Sequence, residues 1–470
     1  MRSECMYWDH IIRNGNIVTT NEIIQADIFI KDGKIAAIAT DLEGTAGEIT
    51  DATGCYVLPG LIDVHIHSRD PGATHKEDFY HSTQAAAAGG VTTVFEMPNT
   101  ATPVNNVENF YKQVKNLEQK AHVDFGLWGI CLGHMNLKDI EALSEAGVIA
   151  FKFFWGYAVH SKTYQLVYNY DPAMKDIIPP FNDGEVYEMF LEVAKTGKPL
   201  AIHAENNDLI HYLTEKVEKS GRTDYEALLE ARPNLAEETT IKTAISFAKS
   251  AKTRLHILHV STGEGVDLIQ QAKAEGLSIT AETCPHYLYL SNEDYSNIGT
   301  AMKVYPTVKY KKDQDKLWEG IYQNVIDLVC SDHAPHTEDE KAGELWSIPA
   351  GMCGVETLVP LMIDAVNKEK ISIHEMVSLL SENPAKLFGI YPQKGSLQVG
   401  TDADITIVDL QKKQVIKKEE LHSKSKVTGF DGFEVLGYPI ATIVRGKTVM
   451  KNGKVIDTPN GKLVRPGTID

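Results

Sequence analysis

No stretch of the 470-residue chain approaches the roughly 18 consecutive apolar residues of a membrane-spanning helix, so no membrane span is expected. The N-terminus, MRSECMYWDH, has no apolar signal core. Cysteine is scarce. Six residues at positions 5, 55, 131, 284, 330 and 353 are scattered and form no CxxC pair, so reduced thiols in the cytosol are expected. Basic residues are outnumbered, 46 Lys and Arg against 64 Asp and Glu, a formal charge of −18. That balance argues against nucleic acid or an anionic membrane as the main partner, while leaving room for a local basic pocket. Low-complexity tracts are absent, and so are tandem repeats at a period of roughly 20–50 residues. What remains is a globular composition, 43% hydrophobic and 23% charged: too apolar for disorder, too mixed for a fibre, and long enough to bury a large core.

The chain changes texture twice. Residues 1–58 are strand-like and turn-punctuated, with IIRNGNIVTT and ADIFIKDGKIAAIAT alternating apolar and polar residues and Asp32-Gly33 forming a hairpin signal. Over 59–389, eight short apolar segments alternate with amphipathic stretches such as VYEMFLEVAKTG and EGVDLIQQAKAEG. The eight are LIDVHIH, VTTVFEMPN, DFGLWGI, VIAFKFFW, PLAIHAE, LHILHVS, LSITAETCPH and DLVCSDHAPH. Such alternation predicts an α/β fold, a closed (β/α)8 TIM barrel. The competing open doubly wound sheet lacks a GxGxxG after its first strand. Over 390–470 the early texture returns, so both termini are expected to build one small β-sandwich. Residues 157–184, rich in Tyr (157, 164, 168, 170) and Pro (172, 179, 180), form the longest irregular stretch and a candidate lid.

Barrel chemistry sits where the strands end. The first segment ends in His65-Ile66-His67, and residues two apart on a strand share a face, so both imidazoles can point at one metal ion. Further segment ends supply His203, His259, and the Asp332, His333 and His336 of SDHAPH. The His65–His67 pair taken alone reads equally well as ordinary strand histidines, and each remaining histidine taken singly reads better as a hydrogen-bonded core residue. Together, four histidines and an aspartate at successive strand ends fit a divalent metal site. Lys152 lies among aromatic residues in FKFFW. It reads either as a snorkelling or paired lysine, or as a buried amine with a lowered pKa, open to carbamylation by carbon dioxide.

The ordered motifs PGLIDVHIHSRDPG, AAAAGGVTTVFEMPNT, FKFFWGY, AIHAEN, HVST, AETCPHYL and SDHAPHT resemble the cyclic amidohydrolases, which include dihydroorotases, hydantoinases (dihydropyrimidinases) and allantoinases. The likeness spans nearly the whole chain, including NPAKLFG at 383–389. It implies a binuclear site, usually of zinc. His65, His67 and Asp332 would hold one ion, His203 and His259 the other, and Lys152 as N6-carboxylysine would bridge them. It also implies a hydroxide between the ions as nucleophile, with Asp332 taking its proton and delivering it to the departing ring nitrogen. Homodimers or homotetramers are usual in the family.

For the substrate ring, the HxHxR pattern ending in Arg69, with Asn99 of MPNT and His336, resembles the carboxylate-binding set of dihydroorotases. An arginine fork is matched to a carboxylate. Plainer readings are Arg69 paired to Asp70 or Glu77, and Asn99 capping a turn. Segment 348–357, IPAGMCGVET, points the same way, and dihydroorotate, opened reversibly to N-carbamoyl-aspartate in pyrimidine metabolism, is the leading expectation. Tyr157, five residues after Lys152, resembles the hydantoinase tyrosine that contacts substrate. Together with the long 157–184 segment and Lys309 where dihydroorotases carry arginine, it supports the alternative of a hydantoinase, dihydropyrimidinase or allantoinase. A metal-free scaffold relative would have lost ligands, and a mononuclear deaminase would not need Lys152. Glu205 reads as a partner of the ligands, His333 is given no separate role, and Lys309 to Lys312 reads as a solvated helix start.

Overall fold

Eight parallel strands close the central barrel: Leu61–Ile66, Val91–Glu96, Asp124–Leu127 continued by Gly129–Ile130, Phe151–Phe154, Leu200–His203, Leu255–Ile257, Ile279–Thr283 and Leu328–Val329. The structure is a computed structural model describing residues 6–40, 42–167 and 170–467; Cys5 and Tyr168 lie outside them. The ring closes where Ile66 bridges His333 in parallel and the His67 N–H donates to the His333 carbonyl at 2.7 Å. Most strand residues are buried on both faces, which is why these segments read as nearly unbroken apolar runs. Helices cover the outside with one apolar stripe each. Asp183–Lys195 opens on a capping box between Asn182 and Glu185 and buries Val186, Met189, Phe190 and Val193, the spacing of a single helical face.

Strands from both chain ends form one nine-stranded sheet. Tyr56–Pro59 pairs with Ile405–Val415, stitching the two termini together. Asp32 (φ 50°) and Gly33 (φ 75°) turn the chain between the paired Lys31 and Lys34, the left-handed pair that a two-residue hairpin requires. Sheet and barrel meet at a buried charge cluster. The Lys394 ammonium lies 2.5 Å from Asp124 and from Asp404 and 3.1 Å from Asp402, while Arg445 also pairs with Asp124. The C-terminal segment runs back along its own barrel, with the Val464 N–H donating to the Phe125 carbonyl at 2.7 Å.

Two segments differ from their sequence reading. The stretch expected to be irregular, 157–184, carries a three-stranded antiparallel sheet of Ala158–His160, Leu166–Val167 and Ile177–Ile178, too short for periodicity to reveal. Lys309 is buried rather than solvated, donating to the Arg232 carbonyl at 2.5 Å and the Thr307 hydroxyl at 2.8 Å. The solvated helix start begins only at Lys311. Among the described residues no helix is long and apolar enough to cross a membrane, and the five described cysteines are free and buried.

Candidate active site

The strand-end residues singled out above converge. His65 Nε2 lies 3.2 Å from Asp332 Oδ1, and His67 Nε2 lies 3.6 Å from the same oxygen. Lys152 Nζ is 3.2 Å from His65 Nε2, and His203 Nδ1 is 3.1 Å from His259 Nε2. Three residues at the site hold left-handed backbone, Arg69 (φ 62°), His259 (φ 37°) and Asp332 (φ 46°), conformations that non-glycine residues keep only where the surroundings enforce them.

The ring nitrogens turned away from this centre are mostly held by oxygens. Glu282 takes His65 Nδ1 at 2.6 Å, Asn99 takes His67 Nδ1 at 2.9 Å, and Glu205 takes His203 Nε2 at 3.0 Å. An N–H on the outer nitrogen leaves a lone pair on the inner one. The exception is His259 Nδ1, buried with no hydrogen-bond partner among the described residues. Burial, with neighbouring positive charge, holds His67, His203 and His259 below the ordinary histidine range, so they are neutral, the form that ligates. Burial also pushes the Lys152 amine down to about 8, although Asp332 and Glu282 pull the other way. Its Nζ sits 4.2 Å from the centre of the Phe154 ring. Imidazole lone pairs, a carboxylate and a readily deprotonated amine turned to one centre match the nitrogen and oxygen donors of divalent cations, zinc among them. His65, His67 and Asp332 offer donor atoms that all lie within 4.8 Å of one another.

Sequence reasoning missed two groups behind these residues. Glu282 joins His65 to His256, whose Nε2 lies 3.1 Å from it. Burial opposes its ionisation, but the two histidines outweigh that and hold its carboxyl below the ordinary range. A glutamate inside the apolar strand Ile279–Thr283 was the available signal. Arg232 Nη1 clamps Glu205 at 2.6 Å and stacks 3.4 Å over the Tyr305 ring. It left no local trace, because its partners come from other elements.

Above the centre opens a cavity of about 810 Å³, lined among others by Arg69, Asn99, Tyr157, Leu166, Tyr305 and Trp346. Arg69 does not take its plainer partners: Asp70 pairs with Lys120 at 2.6 Å, and Glu77 accepts the Lys424 N–H. Arg69 instead donates from Nε to the Pro335 carbonyl at 3.3 Å, with Nη2 3.3 Å from His336 Nε2. Among the described residues no carboxylate lies within ion-pair distance of it. Asn99 Oδ1 holds His67 Nδ1. His336 is held down to about 3 by burial and by Arg69 and Lys76. This neutral ring donates from Nε2 to the Ala350 carbonyl at 3.0 Å. The Tyr157 ring packs edge-on against His203, centroids 5.5 Å apart. His333 accepts the Gly354 N–H at 3.2 Å, at the start of helix Val355–Asn367. Cys284 and Cys330, 3.6 Å apart, are fully buried and do not line the cavity, and burial pushes the Cys284 thiol up to about 12.

A closed barrel whose strand ends gather histidines, an aspartate and a buried lysine around one cavity defines a metal-dependent barrel hydrolase. The chain belongs to the amidohydrolase family, whose sequence profile matches residues 56–449. It is 37% identical over 455 residues to an L-hydantoinase of Paenarthrobacter aurescens, covering 96% of each chain. It is 36% identical over 463 residues to an allantoinase of Rubrobacter xylanophilus, covering 98% of each. Among solved structures, the L-hydantoinase (dihydropyrimidinase) from Arthrobacter aurescens superposes with a TM-score of 0.90 at 36% identity, over 97% of this chain and 100% of that one. A dihydropyrimidinase from Brevibacillus agri gives a TM-score of 0.87 at 29% identity, over 97% and 98%.

Proposed function

We propose that the protein hydrolyses a cyclic amide of the hydantoin and allantoin class, opening the ring to a carbamoyl-bearing acid. The observation that carries this reading is the donor set itself: inner nitrogens of four histidines and the Asp332 carboxylate around Lys152, with three of the four outer nitrogens held by oxygens. The hydantoinase and allantoinase relatives, at 37% and 36% identity, support this class over dihydroorotate. His65, His67 and Asp332 would hold one divalent ion and His203 and His259 a second, with Lys152, carbamylated by carbon dioxide with loss of a proton, between them. When bound, the ions lower the pKa of water and polarise the scissile carbonyl. Asp332 takes the proton of the attacking water and returns it to the departing ring nitrogen, which an amide needs in order to leave. Tyr157 and Leu166 border the space for the ring substituent.

A side-by-side assay of the zinc-loaded protein on hydantoin, dihydrouracil, allantoin and dihydroorotate tests the reading. Turnover of an uncharged ring well above dihydroorotate supports it; no turnover of any ring, with metal bound, overturns it. Arg69 favours a second reading, a ring bearing a carboxylate, because among the described residues no carboxylate pairs with it. On that reading Arg69→Ala raises KM for dihydroorotate by the loss of a charge-assisted pair, about 2–4 kcal/mol, and leaves KM for hydantoin unchanged.

Glu205 provides a further check. It fixes the His203 N–H on Nε2 and is itself clamped by Arg232. Glu205→Gln removes the charge that orients the ring, so zinc affinity is expected to fall by about 10–100-fold. Competition with a chromophoric chelator measures this, with circular dichroism reporting an intact fold.

A further inference from the structure

Part of the cavity wall has no secondary structure: residues 346–351 line the cavity yet belong to neither helix nor strand. Such a stretch buries backbone carbonyls that no ladder satisfies. Here two buried lysines satisfy them. Lys303 Nζ donates to the carbonyls of Leu345 and Ile348, both at 2.6 Å, with that of Trp346 at 3.4 Å. Lys341 Nζ donates to the carbonyls of Lys303 at 2.9 Å, Pro349 at 3.1 Å and Gly351 at 3.0 Å. The two centres are joined, since the Lys303 carbonyl also accepts the Gly351 N–H at 2.9 Å. The lysines are 2% and 3% exposed, and among the described residues neither ammonium has a carboxylate within ion-pair distance.

The wall they hold touches the chemistry. Gly351 adopts φ 138°, and a Cβ there would collide with the Ala334 carbonyl, two residues past Asp332. The Ala350 carbonyl accepts from His336, which in turn lies against Arg69. Stability alone does not call for this arrangement, because burying a charge is costly and apolar packing would serve as well. An ammonium does something packing cannot: its three donors fix where three particular carbonyls lie.

We propose that Lys303 and Lys341 are positioning residues, whose ammonium groups hold residues 345–351 as a rigid wall of the active-site cavity and thereby set KM for the ring substituent. The KM part rests on the cyclic-amide reading above; the anchoring part does not. The test compares K341M, K341Q and K303M with the unaltered protein by hydrogen exchange and by steady-state kinetics on whichever ring is turned over best. Exchange over 343–352 is expected to rise about tenfold or more, with peptides around His65 and His203 unchanged. KM is expected to rise about tenfold, with kcat within about twofold. Unchanged exchange over 343–352 overturns the proposal. So does exchange rising evenly over the whole chain, or kcat falling at constant KM, since each marks a merely structural role; failure of all three variants to fold does the same. If no ring is turned over, the cyclic-amide reading fails while the exchange data still decide whether the lysines anchor the wall.

Discussion

Asp332→Asn is expected to lower kcat by about 100- to 10,000-fold, the range that loss of a positioned acid–base group produces. The aspartate sits 3.2 Å and 3.6 Å from the inner nitrogens of His65 and His67, so it is placed to share a cation with both. Asparagine keeps the shape and one oxygen donor but cannot accept a proton. Burial raises the Asp332 carboxyl above its ordinary value, against the pull of His65 and Lys152. Zinc content measured alongside kcat separates the two roles: slow turnover with most of the metal retained is the expected result. Turnover within about tenfold of the parent would remove Asp332 from the proton-transfer role.

The second large effect concerns stability, at the opposite end of the barrel. Asp124 begins the third barrel strand, and Asp402 and Asp404 precede the sheet strand Ile405–Val415. Lys394, almost fully buried, lies between all three. Lys394→Met leaves Asp124 to Arg445 and Asp402 to Lys34, and among the described residues it leaves buried Asp404 with no cationic side chain; breaking a buried ion pair by removing one partner costs about 3–5 kcal/mol. Scanning calorimetry at a fixed scan rate should record a fall in Tm of several degrees. Turnover at 25 °C should stay within about twofold, because the cluster lies at the strand starts, away from the strand ends that carry the chemistry. A Tm unchanged to within a degree would show that Arg445 and Lys34 together compensate fully.

Much of this molecule was legible locally. The eight barrel strands were readable because strands buried on both faces leave unbroken apolar runs. The candidate ligands were readable because barrel sites gather at strand ends, so His65, His67, His203, His259 and Asp332 stand at predictable places. Arg69 shows the limit of such reading: its motif pointed to dihydroorotate, whereas relatives matching nearly the whole chain are a hydantoinase and an allantoinase. A short motif reports one contact, while substrate choice depends on every wall of the cavity. Lys309 shows another limit. A lysine in a charged run reads as solvated, and only the fold brings in the Arg232 carbonyl that its buried ammonium reaches.

The sequence by itself determined the barrel, the sheet shared by both termini and the residue types at the strand ends, since periodicity and turn chemistry are properties of neighbouring residues. Only the tertiary structure decided which nitrogen of each histidine faces the centre, that Glu282 and Arg232 stand behind the candidate ligands, and that Lys303 and Lys341 hold a cavity wall. It also decided that Lys394 meets Asp124 across 270 positions of chain. The reason is physical: a hydrogen bond or ion pair between residues far apart in sequence forms only once folding has brought them together, and it imposes no period on the residues beside either partner.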